Sequence, residues 1–275
     1  MSTFIRSSRI ASTGHSMTLA HKAQAVVFVV AALMAGSAQA AGSSVALESP
    51  NIDTGNQKSL QRGAQVFVNH CMTCHTADYH RYSRMASDLG LNEEDVLEQF
   101  IFTTDKSGER TKVGSLMASA MSEDYGRQAF GVVPPNLALT ARSRGTDWIY
   151  SYLKSFYVDE ERGGIGVNNT VYPGAAMPHV LWEYQGWQKA LYETTTNEDG
   201  EEVDVFTGFE LVSEGSLSPK EYDAMITDLT NFLAYLSDPI KQQRQRIGIW
   251  VMLFLFGMAI LTWLLKQEYW KDIKK

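Results

Sequence analysis

The two cysteines of the chain both lie in one short run, Cys71-Met72-Thr73-Cys74-His75. Two thiols separated by two residues and followed by a histidine form the attachment signature of c-type haem. In that chemistry each thiol adds to one vinyl group of the porphyrin, and the histidine becomes an axial ligand of the iron. We therefore predict one haem c, attached through Cys71 and Cys74, with His75 as the first iron ligand.

Two other chemistries use cysteines at this spacing. One is a thioredoxin-like redox pair. The other is half of a zinc site, but a structural zinc site needs four ligands, and His70 and His80 do not have zinc-finger spacing. The histidine directly after Cys74, together with the export signal described next, favours haem attachment over both.

Residues 1–40 have the pattern of a secretory signal peptide, with a basic region, an apolar run and a cleavage site of the Ala-x-Ala type. Translation from Met17 would give a signal of more ordinary length, and an uncleaved anchor helix is the alternative interpretation. The pattern comprises Arg6, Arg9 and Lys22, the run from Ala23 to Ala35, and Ser37-Ala38-Gln39-Ala40-Ala41.

A second apolar segment, Ile247 to Leu265, has no charged residue. Its helix would be roughly 28 Å long, close to the ~30 Å hydrocarbon core of a bilayer, which predicts a membrane anchor rather than a buried core helix. Cations flank the segment on both sides, so its orientation rests on the signal peptide. We expect an exported domain at residues 41–245, in the periplasm of a bacterium, and a cytoplasmic tail at residues 266–275 on the inner membrane.

The exported part is strongly acidic. Between Ala41 and Arg246 there are 17 basic and 29 acidic residues, a net charge of −12. Such a surface disfavours nucleic acid and would attract a basic protein partner. Eight acids fall between Glu193 and Glu214 with no Lys or Arg among them, although for each single carboxylate a solvated loop is the simpler interpretation.

Helical periodicity appears in four places of the exported part, and the remaining stretches are rich in Gly, Pro and Asn. Residues 105–136, 163–178 and 194–216 show no convincing strand, although Glu202 to Leu211 could form a hairpin arm. The fold class we predict is mainly α, a cytochrome c-like haem domain with long loops plus one C-terminal transmembrane helix. The helices are expected at Ser59 to His75, after Asn92, from Thr146 or Asp147, and after the capping box Ser218-Pro219-Lys220-Glu221.

The second iron ligand should be a methionine or histidine distant from His75. Met177 is the leading candidate, because its loop, Tyr172-Pro173-Gly174-Ala175-Ala176-Met177-Pro178, has small residues that let backbone approach a porphyrin. His179 is the main competitor and would give bis-histidine ligation. Met117 and Met121 remain open, whereas Met225 lies on an apolar helix stripe typical of core.

Haem propionates are anionic and need cationic or hydrogen-bonding partners. Arg142, Arg144 and Trp148 surround the start of a predicted helix, where the backbone also favours anions. They are candidate propionate contacts, with ordinary surface arginines as the alternative.

Four blocks of the sequence resemble the cytochrome c1 family of the cytochrome bc1 complex, over most of the chain from about Ser59. Asn136 departs from the pattern, because the family usually has Asp there. The blocks are Gln61 to His75 with Asp78-Tyr79 and Arg81-Tyr82, Pro134-Pro135-Asn136-Leu137 with Arg142 and Arg144, Tyr172-Pro173-Gly174 with Met177-Pro178, and Asp228 to Leu233 with Asp238-Pro239.

The resemblance implies a single-electron carrier of the bc1 complex, the quinol–cytochrome c reductase, without a bond-making catalytic site of its own. It implies that electrons come from the Rieske iron–sulfur protein and leave to a soluble c-type cytochrome. Cytochrome b would pack beside the anchor helix in a dimeric complex within membrane lipid. It also implies haem contacts at Pro135, Arg144 and Trp148, and iron ligation by Met177.

Three other functions are alternatives to this one. A free-standing, membrane-anchored cytochrome that donates to an oxidase or reductase would need a flexible linker before its anchor. A haem sensor would be expected to carry added signalling segments. A thiol–disulfide oxidoreductase would not need a histidine directly after its second cysteine, so His75 argues against that function.

Overall fold

The computed structural model describes residues 45–105, 107–196 and 200–273. The predicted signal peptide at residues 1–40 lies outside this part of the chain. Within it, helices dominate and one C-terminal helix is long and apolar enough to cross a membrane, which confirms the predicted fold class. The helices are α1 (Gln57–Val66), α2 (Tyr82–Leu89), α3 (Glu93–Phe100), α4 (Glu123–Phe130), α5 (Thr140–Ser143), α6 (Thr146–Lys154), α7 (Trp182–Gln185), α8 (Pro219–Ser237) and α9 (Lys241–Trp270).

The strands of the described residues form three two-stranded antiparallel sheets. The strands are β1 (Ala77–Arg81) with β2 (Leu116–Met117), β3 (Phe156–Val158) with β4 (Val167–Asn169), and β5 (Gly186–Thr196) with β6 (Glu202–Glu214).

The core is built around the packing of α1 against α8. The side chain of Asn56 caps α1 by accepting a hydrogen bond from the Ser59 amide at 3.2 Å, and a π-helical turn, Phe67–Cys71, extends the helix into the cysteine motif. The predicted capping box is present at the start of α8, between Ser218 and Glu221. The apolar faces of the two helices meet in the fully buried pair Phe67 and Phe232, whose ring centroids are 5.6 Å apart.

Gly63 allows the two helix backbones to approach closely. A Cβ atom at this position would overlap the carbonyl oxygen of Asp228 and lie 2.8 Å from the Cβ of Phe232. A polar cluster lies beside this contact. The Asp228 carboxylate accepts hydrogen bonds from Ser59 Oγ at 2.6 Å and from Arg62 Nε and Nη2 at 2.6 and 2.9 Å.

All three stretches in which the sequence predicted no convincing strand contain regular structure, and in residues 163–178 it is strand β4, which pairs with β3. Helix α4 lies within residues 105–136, where Ser122 caps its first turn and Gly131 ends it in the left-handed conformation, with φ of 74°. The hairpin arm is much longer than the predicted Glu202 to Leu211, since it begins at Gly186 and ends at Glu214. The parts of its two strands that lie far from the core are exposed on both faces. Their sequence therefore lacks the apolar–polar alternation that burial of one face produces.

The last helix, α9, follows α8 after a break at residues 238–240. It contains the apolar segment 247–265, and none of its residues is buried by the rest of the described chain. Such an apolar surface is compatible with lipid and unfavourable in water.

We expect Gly63→Ala to destabilise the protein. Alanine favours an isolated helix by about 1 kcal/mol, but here the added methyl group meets backbone that cannot rotate away, and overpacking costs about 1–3 kcal/mol. Thermal unfolding of the detergent-solubilised protein measures the loss.

The control is Gly163→Ala, at an exposed loop glycine whose Cβ would meet no atom within 4 Å. It should unfold at the wild-type temperature. Equal unfolding temperatures for both variants would contradict the close contact of α1 with α8.

Candidate functional site

The cysteine motif lies in a tight turn at the end of the π-helical turn. The amide of Met72 donates to the Phe67 carbonyl at 2.9 Å, and the amide of His75 donates to the Cys71 carbonyl at 2.8 Å. Met72 is buried, and the Tyr82 hydroxyl donates to its sulfur at 3.3 Å. The buried side chain of Met72 thus fixes the turn to the core, while Cys74 and His75 stay partly accessible.

The imidazole of His75 is oriented by the loop that contains Pro135. His75 Nδ1 lies 2.8 Å from the Pro135 carbonyl oxygen. A carbonyl can only accept, so Nδ1 carries the proton and Nε2 is left with a free lone pair. Burial lowers the pKa of His75, and the Pro135 bond offsets part of that shift. The neutral imidazole is the form that ligates a metal.

The two thiols are not activated as nucleophiles. Burial raises the pKa of Cys71 to about 12, and burial also raises the pKa of the half-buried Cys74. A redox-active Cys-x-x-Cys pair shows the opposite shift, towards a stable thiolate. The protein environment therefore argues against a thioredoxin-like function for this pair.

A second set of predicted residues meets around helix α6. The Arg144 guanidinium lies 5.1 Å from the ring centroid of Trp148 and 5.9 Å from that of Tyr172. Trp148 stacks on Tyr152 with a centroid separation of 4.9 Å. The Tyr152 hydroxyl in turn donates a hydrogen bond to the Met177 sulfur at 3.5 Å.

These contacts define two groups. The motif cluster is Cys71, Cys74, His75 and Pro135, and the methionine cluster is Arg144, Trp148, Tyr152, Tyr172 and Met177. The contacts described above join residues within each cluster and do not cross between them. Together the clusters offer two thiols, an imidazole nitrogen and a thioether, a donor set that fits haem c.

His179 is enclosed by protein. Its ring stacks on Phe156 at 5.2 Å and meets the edge of Trp187 at 5.8 Å, and Nε2 is buried without a hydrogen-bond partner. Burial lowers the pKa of His179 to about 4, with a smaller opposing effect from the Gly186 backbone. The imidazole is therefore neutral near neutral pH and packs as an aromatic ring.

The other candidates lie elsewhere. Met117 is fully buried in β2, where it pairs with Ala77. Met225 packs against the core from α8, as its stripe predicted. Arg142 is exposed on α5.

Two aromatic residues of the methionine cluster were not singled out from the sequence. Tyr152 follows Trp148 by four residues, a spacing that places both side chains on one helix face. Tyr172 opens the methionine loop. The helical spacing could have indicated the first of them, whereas only the folded loop brings the second to Arg144.

Comparison with known proteins identifies the family. The family model described as the cytochrome C1 family matches residues 49–208 and 209–273. The chain belongs to the cytochrome c1 family. It is 47% identical to the cytochrome c1 of Allochromatium vinosum, over 85% of this chain and 92% of that one.

Two other relatives are less similar to the chain. The cytochrome c1 haem protein of Saccharomyces cerevisiae mitochondria is 26% identical over 81% of this chain and 69% of that one. A protein named ammonia monooxygenase gamma subunit, from Nitrosomonas europaea, is 42% identical over 86% of this chain and 92% of that one.

Membership of the cytochrome c1 family confirms the predicted class of function. The chain is the haem subunit of the cytochrome bc1 complex, an electron-transfer subunit with covalently bound haem c. Cytochrome b and the Rieske protein are its partners in that complex, and the subunit is anchored in a membrane. The free-standing cytochrome is not favoured.

Asn136, the departure from the family pattern, has a defined role here. Its amide nitrogen donates to the Asp78 carboxylate, and its Oδ1 accepts from the Ala138 amide at 2.9 Å. The pair joins the loop of Pro135 to the strand after the cysteine motif.

We expect Asn136→Asp to destabilise the protein by about 1–2 kcal/mol at pH 7, because it sets two carboxylates against each other and removes a partly buried hydrogen bond. The folded variant would bind an extra proton, so its deficit should shrink as the pH falls towards 4. Unfolding temperatures across this pH range measure the effect.

The double variant Asp78→Asn, Asn136→Asp is the matched control, since it restores one carboxylate beside one amide. It should recover most of the lost stability at pH 7. A pH-independent deficit in Asn136→Asp would contradict the electrostatic explanation.

Proposed function

We propose that this chain carries a single haem c linked to Cys71 and Cys74, with His75 and Met177 as the axial iron ligands. The observation that carries the proposal is the hydrogen bond from His75 Nδ1 to the Pro135 carbonyl. It fixes the tautomer and the ring plane, and it makes Nε2 a more basic metal ligand than it would be without the bond. Pro135 would contribute to haem binding by orienting the imidazole of His75 in this way.

The surroundings of the two candidates for the second position support Met177 over His179. Met177 is half-buried at the edge of the core, and its loop is of small residues. The buried ring of His179 instead packs in an aromatic group, stacked on Phe156 and edge-on to Trp187.

Arg144 and Trp148 are proposed as propionate partners. The guanidinium of Arg144 is held against the faces of Trp148 and Tyr172, while the residue as a whole is exposed. An arginine held in this way can offer its outer nitrogens to an anion. The indole nitrogen of Trp148 adds a donor at the start of α6.

When bound, haem supplies reversible exchange of one electron, and the protein supplies position, ligation and electrostatics. The haem domain, residues 41–245, is proposed to face the periplasm, with the anchor at 247–265 and the tail at 266–275 in the cytoplasm. The proposed acceptor is a soluble basic c-type cytochrome, and the complex is proposed to be dimeric. Exposed acids on the hairpin arm support a basic acceptor: Glu193, Glu202, Asp204, Glu210 and Glu214.

Purification in mild detergent tests the assembly. We expect a b-type cytochrome and an iron–sulfur protein to co-purify with the tagged chain in equal amounts. A solitary haem protein would contradict the assignment to a bc1 complex. Co-purification of an ammonia monooxygenase in place of these partners would link this chain to the activity that the name of its Nitrosomonas relative gives.

Loss of the thioether should be visible in the optical spectrum. We expect Met177→Leu to retain covalent haem, because the thiols are untouched, and to lose the weak near-infrared band of a methionine–iron bond. Absorption spectra of the oxidised protein measure the band.

The control is His179→Phe, which replaces one buried aromatic ring with another. It should retain the band. Loss of the band in His179→Phe and retention in Met177→Leu would reverse the ligand assignment.

A further inference from the structure

The hydrogen bond between Tyr152 and Met177 links helix α6 to the methionine loop. The phenol oxygen lies 3.5 Å from the sulfur and donates its proton to it. A thioether sulfur has two lone pairs. One of them can accept from the phenol while the other remains available to a metal.

The phenol ring is held by two aromatic neighbours, and the backbone of Tyr152 is held by a hydrogen bond. Trp148 stacks on its ring with an interplanar angle of 8°, and Phe156 meets it edge-on at 5.0 Å. The backbone carbonyl of Tyr152 accepts from Asn169 Nδ2 at 2.8 Å. The ring therefore has little freedom to turn away from the sulfur.

The same asparagine holds the loop that carries the sulfur. Asn169 is fully buried, and its Oδ1 accepts from the amides of Val171 and Tyr172, each at 3.0 Å. Further along, Arg162 Nη1 donates to the Ala175 carbonyl at 2.8 Å. The separation of phenol and sulfur is thus fixed by the scaffold on both sides.

We propose that Tyr152 is a positioning residue that sets the strength of the methionine–iron bond and the reduction potential of the haem by donating to the Met177 sulfur. The inference rests on the ligation proposed above. A donated proton withdraws electron density from the sulfur, so the sulfur stabilises ferric iron less and the potential is higher than it would be without the bond.

Tyr152→Phe in the full-length membrane protein tests the proposal, because it deletes the hydroxyl and keeps the ring that Trp148 and Phe156 pack on. We expect a lower midpoint potential and a shifted methionine–iron band, with haem still covalently bound. At the wild-type midpoint the ratio of oxidised to reduced haem should rise by about threefold to tenfold, the range for one net hydrogen bond.

Site-specific replacement of Tyr152 by 3-fluorotyrosine gives a second test that preserves the fold. The fluorinated phenol is a stronger donor, so the potential should shift in the opposite direction, upward. This measurement also decides the matter if Tyr152→Phe fails to fold.

The matched control is Tyr150→Phe, which removes a hydroxyl from the same helix. That hydroxyl accepts from Lys154 at 3.3 Å, and residues two positions apart on a helix do not share a face. The control should leave potential and band unchanged.

Unchanged potential and band in Tyr152→Phe and in the fluorinated protein would overturn the inference, whatever happens to stability. Met177→Leu separates this failure from failure of the proposed ligation. If that variant loses the band while both Tyr152 proteins resemble wild type, the ligation holds and only the role of Tyr152 is wrong.

Discussion

The contact between α1 and α8 at Gly63 is the constraint on which the rest of the structure depends. It brings the backbone of the helix that ends in the cysteine motif against the helix that leads towards the membrane. Asp228 strengthens the crossing, since it accepts from Ser59 and from both nitrogens of an Arg62 fork. Such a bidentate pair adds geometric specificity as well as energy. The position of the haem-binding motif is therefore set by helix packing rather than by loops.

The loops then supply functional groups to this frame, and each is fastened by backbone-directed hydrogen bonds. The Pro135 loop is joined to the residue that follows the cysteine motif, because the Leu137 amide donates to the Thr76 carbonyl at 2.8 Å. The methionine loop is held by the buried amide of Asn169. Long loops of this kind can place ligands accurately because their peptide groups are satisfied internally. The electrostatics follow from the placement, with a neutral imidazole at His75 and protonated thiols before haem attachment.

The sequence predicted what is encoded locally. The Cys-x-x-Cys-His run, the capping box at Ser218 and the apolar stripe of α8 all depend on residues within a few positions of each other. The Tyr152–Met177 and Asn136–Asp78 contacts join residues that are 25 and 58 positions apart, and no local pattern signals them. Helix α4 was missed although Ser122 and Gly131 mark its ends, because few apolar residues lie between them. The hairpin was underestimated because both of its faces meet solvent.

The break between α8 and α9 spans only residues 238–240. Arg244 pairs with Asp238 across it at 2.5 Å, and the side chain of Gln242 lies beside Gly55, in the segment before α1. A connection this short leaves no flexible linker between the globular domain and the anchor helix. We therefore expect the redox centre to keep a nearly constant distance from the bilayer instead of moving between its electron donor and its electron acceptor. If electron transfer requires one of the proteins to move, we expect the donor or the acceptor to be the one that moves.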